Sequence, residues 1–173
     1  MKIHSGMRPH DIVVLLKIAA KKNESWFMKD LSHELNISAS EVSESINRSV
    51  IAGLIGPNKK KLNKLALLDF LEHGLRYVFP QQPGAIVRGV ATAHSAPPLS
   101  FIIKSLDYYV WPSGKGTLRG QSIQPLYPSV VEAVKEDENL YEYLALADAI
   151  RVGKAREKEI AIQELKKRLL NGE

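Results

Sequence analysis

Between residues 40 and 64 the chain carries Ser40, Asn47 and Arg48, then Lys59, Lys60, Lys61 and Lys64. Asparagine and arginine each present paired hydrogen-bonding groups that match base edges in a DNA major groove, and serine adapts to either base-edge donor or acceptor. Lysine supplies a compact positive charge suited to phosphate oxygens. Ser40, Asn47 and Arg48 therefore read as base-edge contacts, and the four lysines as phosphate contacts. The competing readings are an ordinary solvated helix face and a solvated lysine turn. Glu41 and Glu44 favour them, because neither carboxylate would welcome a phosphate. The position of the lysines directly after the polar stripe favours nucleic acid.

Other chemistries find less support. The histidines, at 4, 10, 33, 73 and 94, are dispersed without a His-x3-His pair, so no metal is expected. With no cysteine there is no disulfide, thiolate site or thiol nucleophile. No Gly-x-Ser-x-Gly motif appears, and Gly114-Lys115-Gly116-Thr117 lacks the spacing and the following helix of a phosphate-binding loop. An enzyme is not expected, and neither is a cofactor. Arg88, His94, Trp111 and Arg119 remain as a candidate ligand pocket, with an aromatic wall and two anion contacts. The alternative gives each a structural role: arginines on loop carbonyls, Trp111 in the core, His94 at a turn.

The base-edge candidates need a rigid helix beneath them. Phe27, Leu31 and Leu35 recur every four residues, and Asn36 tolerates the left-handed stop that ends such a helix. Ser38-Ala39-Ser40-Glu41 has the form of a capping box, in which Ser38 accepts from an early amide and Glu41 reaches back. A second helix over about 39–52 follows, with Ala39, Val42, Ile46, Ser49 and Val50 inward and Ser40, Glu44, Asn47 and Arg48 outward. Upstream, Ile12, Leu15, Leu16, Ala19 and Ala20 predict a third helix from Pro9 to Lys22.

The run from Lys29 to Ser43, with the closing Ala52-Gly53-Leu54-Ile55, resembles the MarR-like winged-helix regulators of bacteria over the first third to two fifths of the chain. The resemblance implies a recognition helix whose N-terminal half enters the major groove, followed by a β-hairpin wing. Only Gly56 to Asn63 separates Ile55 from the next helical pattern, so the wing must be minimal or replaced by a basic turn. Charge agrees: residues 1–64 hold 11 Lys+Arg against 6 Asp+Glu, whereas residues 65–173 hold 13 of each. Such a surface attracts the phosphate backbone through counterion release.

Beyond Asn63, a candidate cap, Leu65, Leu68, Leu71 and Leu75 mark a helix that Pro80 ends. Its wide apolar face needs cover, either from the C-terminal half or from a second subunit. Residues 80–128 then contain seven of the nine prolines, with short strands expected at 85–90, 101–103 and 108–111 and a hairpin turn at 113–116 leading into 117–123. Helix returns after Ser129, breaks at Gly153 and ends in a last helix from Lys154 to Leu170. There Lys166, Lys167 and Arg168 complement the helix dipole or touch a partner. Leu144 to Glu157 also resembles a segment of uncharacterised bacterial winged-helix proteins, some of them antitoxin-like regulators, which implies a toxin-like protein partner.

At 173 residues and 45% apolar composition the chain can bury one good core or two small ones. It lacks an apolar leader and any run of about 18 apolar residues, which points to a cytoplasmic protein without a membrane partner. The combined expectation is an α+β, mostly α chain: a winged helix-turn-helix over 1–78 and an α+β extension over 79–173. The function expected is that of a homodimeric, double-stranded-DNA-binding regulator, read as a repressor. The alternative is a protein-interaction module in which residues 79–173 bind the partner.

Overall fold

The computed structural model describes Ile3 and residues 5–172 and has an α+β architecture dominated by helix. The first helix, α1 (Pro9–Ala20), opens with proline in its first position, and the Arg8 amide donates to the Asp11 carboxylate at 2.8 Å. His10 to Ala20 are all buried, so α1 lies inside the molecule with neighbours on every side rather than on its surface. Helix α2 (Met28–Leu35) ends at Asn36, whose φ of 52° is the expected left-handed stop.

Helix α3 (Ala39–Ile51) begins at Ser38, whose hydroxyl accepts from the Glu41 amide at 3.3 Å. Only half of the expected capping box forms. Glu41 turns instead towards His10 on α1, with 3.2 Å between carboxylate and Nε2. After α3 the chain makes a very short hairpin, with Ile55 bridged to Leu62 and the Gly56 amide donating to the Lys61 carbonyl at 2.8 Å. Lys59 sits at its tip with φ 61°.

The predicted helix up to Pro80 is two helices, α4 (Lys64–His73) and α5 (Leu75–Val78), broken at Gly74. A Cβ there would lie 2.9 Å from the Phe70 ring. Leu67, Leu68 and Leu71 are buried and α4 packs on the last helix, so the chain itself covers most of this apolar face, while Leu65 stays in solvent.

Three strands follow: β1 (Ile86–Ala91), β2 (Tyr109–Pro112) and β3 (Leu118–Ser122). β1 pairs antiparallel with both others, while β2 and β3 pair parallel and close the sheet on itself. The expected hairpin between β2 and β3 is therefore corrected: the connection crosses β1. Gly116 lies against Gly89 at the crossing, where a Cβ would come within 2.1 Å of the Gly89 carbonyl oxygen. The strand expected at 101–103 is also absent; Leu99–Phe101 is a 3-10 turn, and Phe101 is 76% exposed.

Helices α6 (Val130–Ala133), α7 (Glu138–Val152) and α8 (Ala155–Asn171) complete the chain, with the break at Gly153 as expected. The Ser129 hydroxyl does not cap α6 and donates to the Leu35 carbonyl at 2.6 Å. Residues from both halves of the chain share one apolar core, in which α1 meets α3 on one side and α7 on another. Lys17 of α1 adds ion pairs to Glu34 of α2 at 2.7 Å and to Asp137, the cap of α7, at 2.6 Å. No described helix is long and apolar enough to cross a membrane.

Candidate nucleic-acid interface

Val42, Ser45, Ile46 and Ser49 hold α3 against the core, which leaves Ser40 and Glu44 exposed and Asn47 half-buried on the outer side. Arg48 does not join them. Its Nε donates to Asp11 Oδ2 at 2.9 Å and one terminal nitrogen to Oδ1 at 2.8 Å, a bidentate pair that leaves Arg48 6% exposed. The same terminal nitrogen stands 3.2 Å from His10 Nε2. Arg48 is thus corrected from a base reader to a clamp between α3 and α1. Around the helix it sits beside Glu41 at the edge of the buried arc, and the aspartate on α1 draws it inward. Burial pushes the Asp11 carboxyl up, but hydrogen bonds from Arg48 and the Arg8 amide outweigh this and hold it below its ordinary value.

The short hairpin lies beside the exposed side of α3. Lys59 Nζ donates to Asn47 Oδ1 at 2.8 Å and fastens the tip of the turn to the helix. The next lysines look elsewhere: Lys60, Lys61 and Lys64, joined by Lys22 from the end of α1, line an open groove of about 820 Å³. None of these four lysines forms an ion pair among the described residues. Trp26 and Phe27 line the same groove, and Phe27 and Leu65 are 63% and 68% exposed. The sequence reading missed this groove because residues 22–27 and 60–65 meet only after the chain has passed through α2 and α3.

The four residues of the candidate ligand pocket are split between core and surface. Trp111 is buried and donates to Asp148 at 2.7 Å, and His94 is buried with Nε2 2.8 Å from the Asp107 carbonyl oxygen. Arg88 and Arg119 are exposed and directly opposed across β1 and β3. The Asp148 carboxylate also accepts from Thr92 and Arg151, and Arg151 donates to the carbonyls of Phe79 and Gln124. The segment from Leu144 to Glu157 thus holds a buried hub that joins sheet to helices. The basic cluster near the end of α8 has intramolecular partners: Arg168 pairs with Glu142 and Glu164, Lys167 with Glu164, and Lys166 lies 3.8 Å from Glu72. Among the described residues no cluster of His, Asp and Glu is arranged to hold a metal ion; His4 lies outside them. No protein-family profile matches this chain, and no curated protein or solved structure is similar to it beyond chance.

Proposed function

We propose that this chain is a sequence-specific DNA-binding regulator of winged-helix type. In this reading α2 and α3 form the helix-turn-helix, Ser40 and Asn47 face base edges, and the turn carrying Lys59, Lys60 and Lys61 serves as a minimal wing on the phosphates. The observation that carries it is the Lys59–Asn47 hydrogen bond, which fixes a basic turn beside the one open polar face of α3. Arg48 acts here as a positioning residue: it sets the angle of α3 through Asp11.

Binding to labelled genomic fragments, including the region upstream of the protein's own gene, tests this at two salt concentrations with excess competitor. The expected outcome is salt-sensitive retention of one fragment. Equal loss of every fragment under competitor overturns sequence-specific regulation.

A second reading assigns residues 79–173 to a protein partner. It is supported by the segment from the end of the 3-10 turn to β2, where Phe101 and Leu106 are 76% and 97% exposed and Ile102 and Tyr108 are exposed as well. A stoichiometric partner that co-purifies from the native host through nuclease and high salt would favour it over the first. A free homodimer would count against it.

A further inference from the structure

The open groove between residues 22–27 and 60–65 is a different surface from the outer side of α3. We infer that it binds a short unpaired stretch of nucleic acid, with the lysines on its phosphates and the aromatic wall against its bases.

Three observations define the occupant. First, its charge must be negative: Lys22, Lys60, Lys61 and Lys64 converge on the groove against a single carboxylate, Glu24. Lys64 is also the first residue of α4, where the positive end of the helix repels a cation, so its placement there has no stabilising structural account. An anion between these lysines relieves both repulsions.

Second, the occupant must bring flat apolar surface. Trp26 and Phe27, neighbours in the chain, both line the groove; Phe27 is 63% exposed, and Leu65, which also lines it, is 68% exposed. Lys29 Nζ lies 5.8 Å from the centroid of the Phe27 ring, which adds a cation to this edge of the groove. A paired duplex offers phosphates but keeps its base faces stacked inside, so the aromatic wall would gain nothing from it. An unpaired strand offers both, and cationic grooves with aromatic platforms suit such strands whatever their sequence.

Third, the groove is continuous with the basic turn. Lys59 bonds to α3 while Lys60 and Lys61 line the groove, so one short hairpin borders both surfaces. At about 820 Å³ the groove is too large for a single ion and suits a short segment.

The proposal does not depend on duplex recognition by α3; Lys60 and Lys61 are common to both readings, so Phe27→Ala separates them, because it should weaken the unpaired strand and leave duplex binding unchanged. The test measures binding of a fluorescent ten-nucleotide oligothymidylate to the full chain by anisotropy, with duplex binding assayed in parallel and tryptophan emission recorded. Trp111 is buried, so quenching reports Trp26. Expected are quenching on binding, a loss of roughly fivefold or more in Phe27→Ala and a larger loss in Lys60→Glu/Lys61→Glu. Inorganic polyphosphate of equal charge should compete weakly, because it has no bases. Two results would overturn the proposal: oligothymidylate binding indifferent to Phe27→Ala and fully displaced by polyphosphate, or tighter binding of a Glu- and Leu-rich peptide than of the oligonucleotide. Phe27 is exposed, so its truncation does not threaten the fold; unchanged circular dichroism confirms this in the same samples.

Discussion

Two buried aspartate–arginine pairs hold the two halves of this chain, and they are built in opposite ways. Asp148 and Arg151 lie one turn apart on α7, and their remaining hydrogen-bonding capacity is taken up by Thr92, Trp111 and two carbonyls from other segments. Asp11 and Arg48 come from separate helices, and their bidentate contact is itself the junction. The first pair is local and gathers distant segments around it. The second is distant and joins only its own two helices, with His10 and Glu41 at its rim. Removing one partner of a buried pair leaves the other charged and desolvated, so cutting either pair on one side carries a large penalty.

The largest effect should come from the α7 pair. Asp148→Ala leaves Arg151 and the Trp111 indole without their acceptor and should cost about 5 kcal/mol in urea unfolding, close to the whole stability of a small domain. A loss under 1 kcal/mol would mean that the hub is not where the sheet is fastened. Arg48→Ala should cost about 3 kcal/mol by the same mechanism, because Asp11 is stranded. If Arg48 is a clamp, base preference measured on the folded fraction stays unchanged; relaxed preference at one base, without loss of stability, would return it to the DNA surface.

The α3 pair also predicts a pH dependence. The folded-state pKa of Asp11 lies below its ordinary value, so its contribution is complete above about pH 4 and is lost as pH falls through the lowered value. Asp11→Asn should start less stable and lose less between pH 5 and pH 2 than the parent. Parallel acid-unfolding curves would show that Asp11 does not carry this dependence. Glu34, held down by Lys17 and Lys21 against its burial, adds to the same acid slope. The smallest stability effect belongs to Lys60→Ala/Lys61→Ala, within about 0.5 kcal/mol. If the turn is the proposed wing, that variant should still weaken binding to all DNA sequences and reduce the salt slope by about 2.

The same contrast explains what could be read in the sequence. Asp148 and Arg151 are neighbours on one helix, and their i, i+3 spacing is visible in the letters. Asp11 and Arg48 are 37 residues apart, and by periodicity alone Arg48 belongs with the polar stripe of α3. Helices α1, α2, α3 and α8 were legible because apolar residues recur at helical spacing and Asn36 and Gly153 punctuate them. The paths of β2 and β3 were not, since Ser113 to Gly116 has turn chemistry whether the chain folds back or crosses over. Only contact with Gly89 distinguishes the two. Residues 101–103 carry strand-forming types, yet Phe101 ends a 3-10 turn and Phe101 and Ile102 stay in solvent, where β-propensity finds no partner strand. Of the DNA-surface candidates, Ser40, Asn47 and the lysines lie on or near the surface, Arg48 does not, and the groove needed two segments that the sequence keeps apart.

Helix α1, enclosed on every side, bears on how this protein can be dissected. Cutting the chain after Val78 would strip α7 from α1 and α8 from α4 and bare the apolar side chains that these helices cover. The fragment would aggregate or recruit foreign surfaces, and its failure to bind DNA, or its promiscuity, would record solvent-exposed core rather than biology. For this molecule, deletion mapping is a poor genetic tool, and the roles of its two ends are better separated by single surface substitutions in the intact chain.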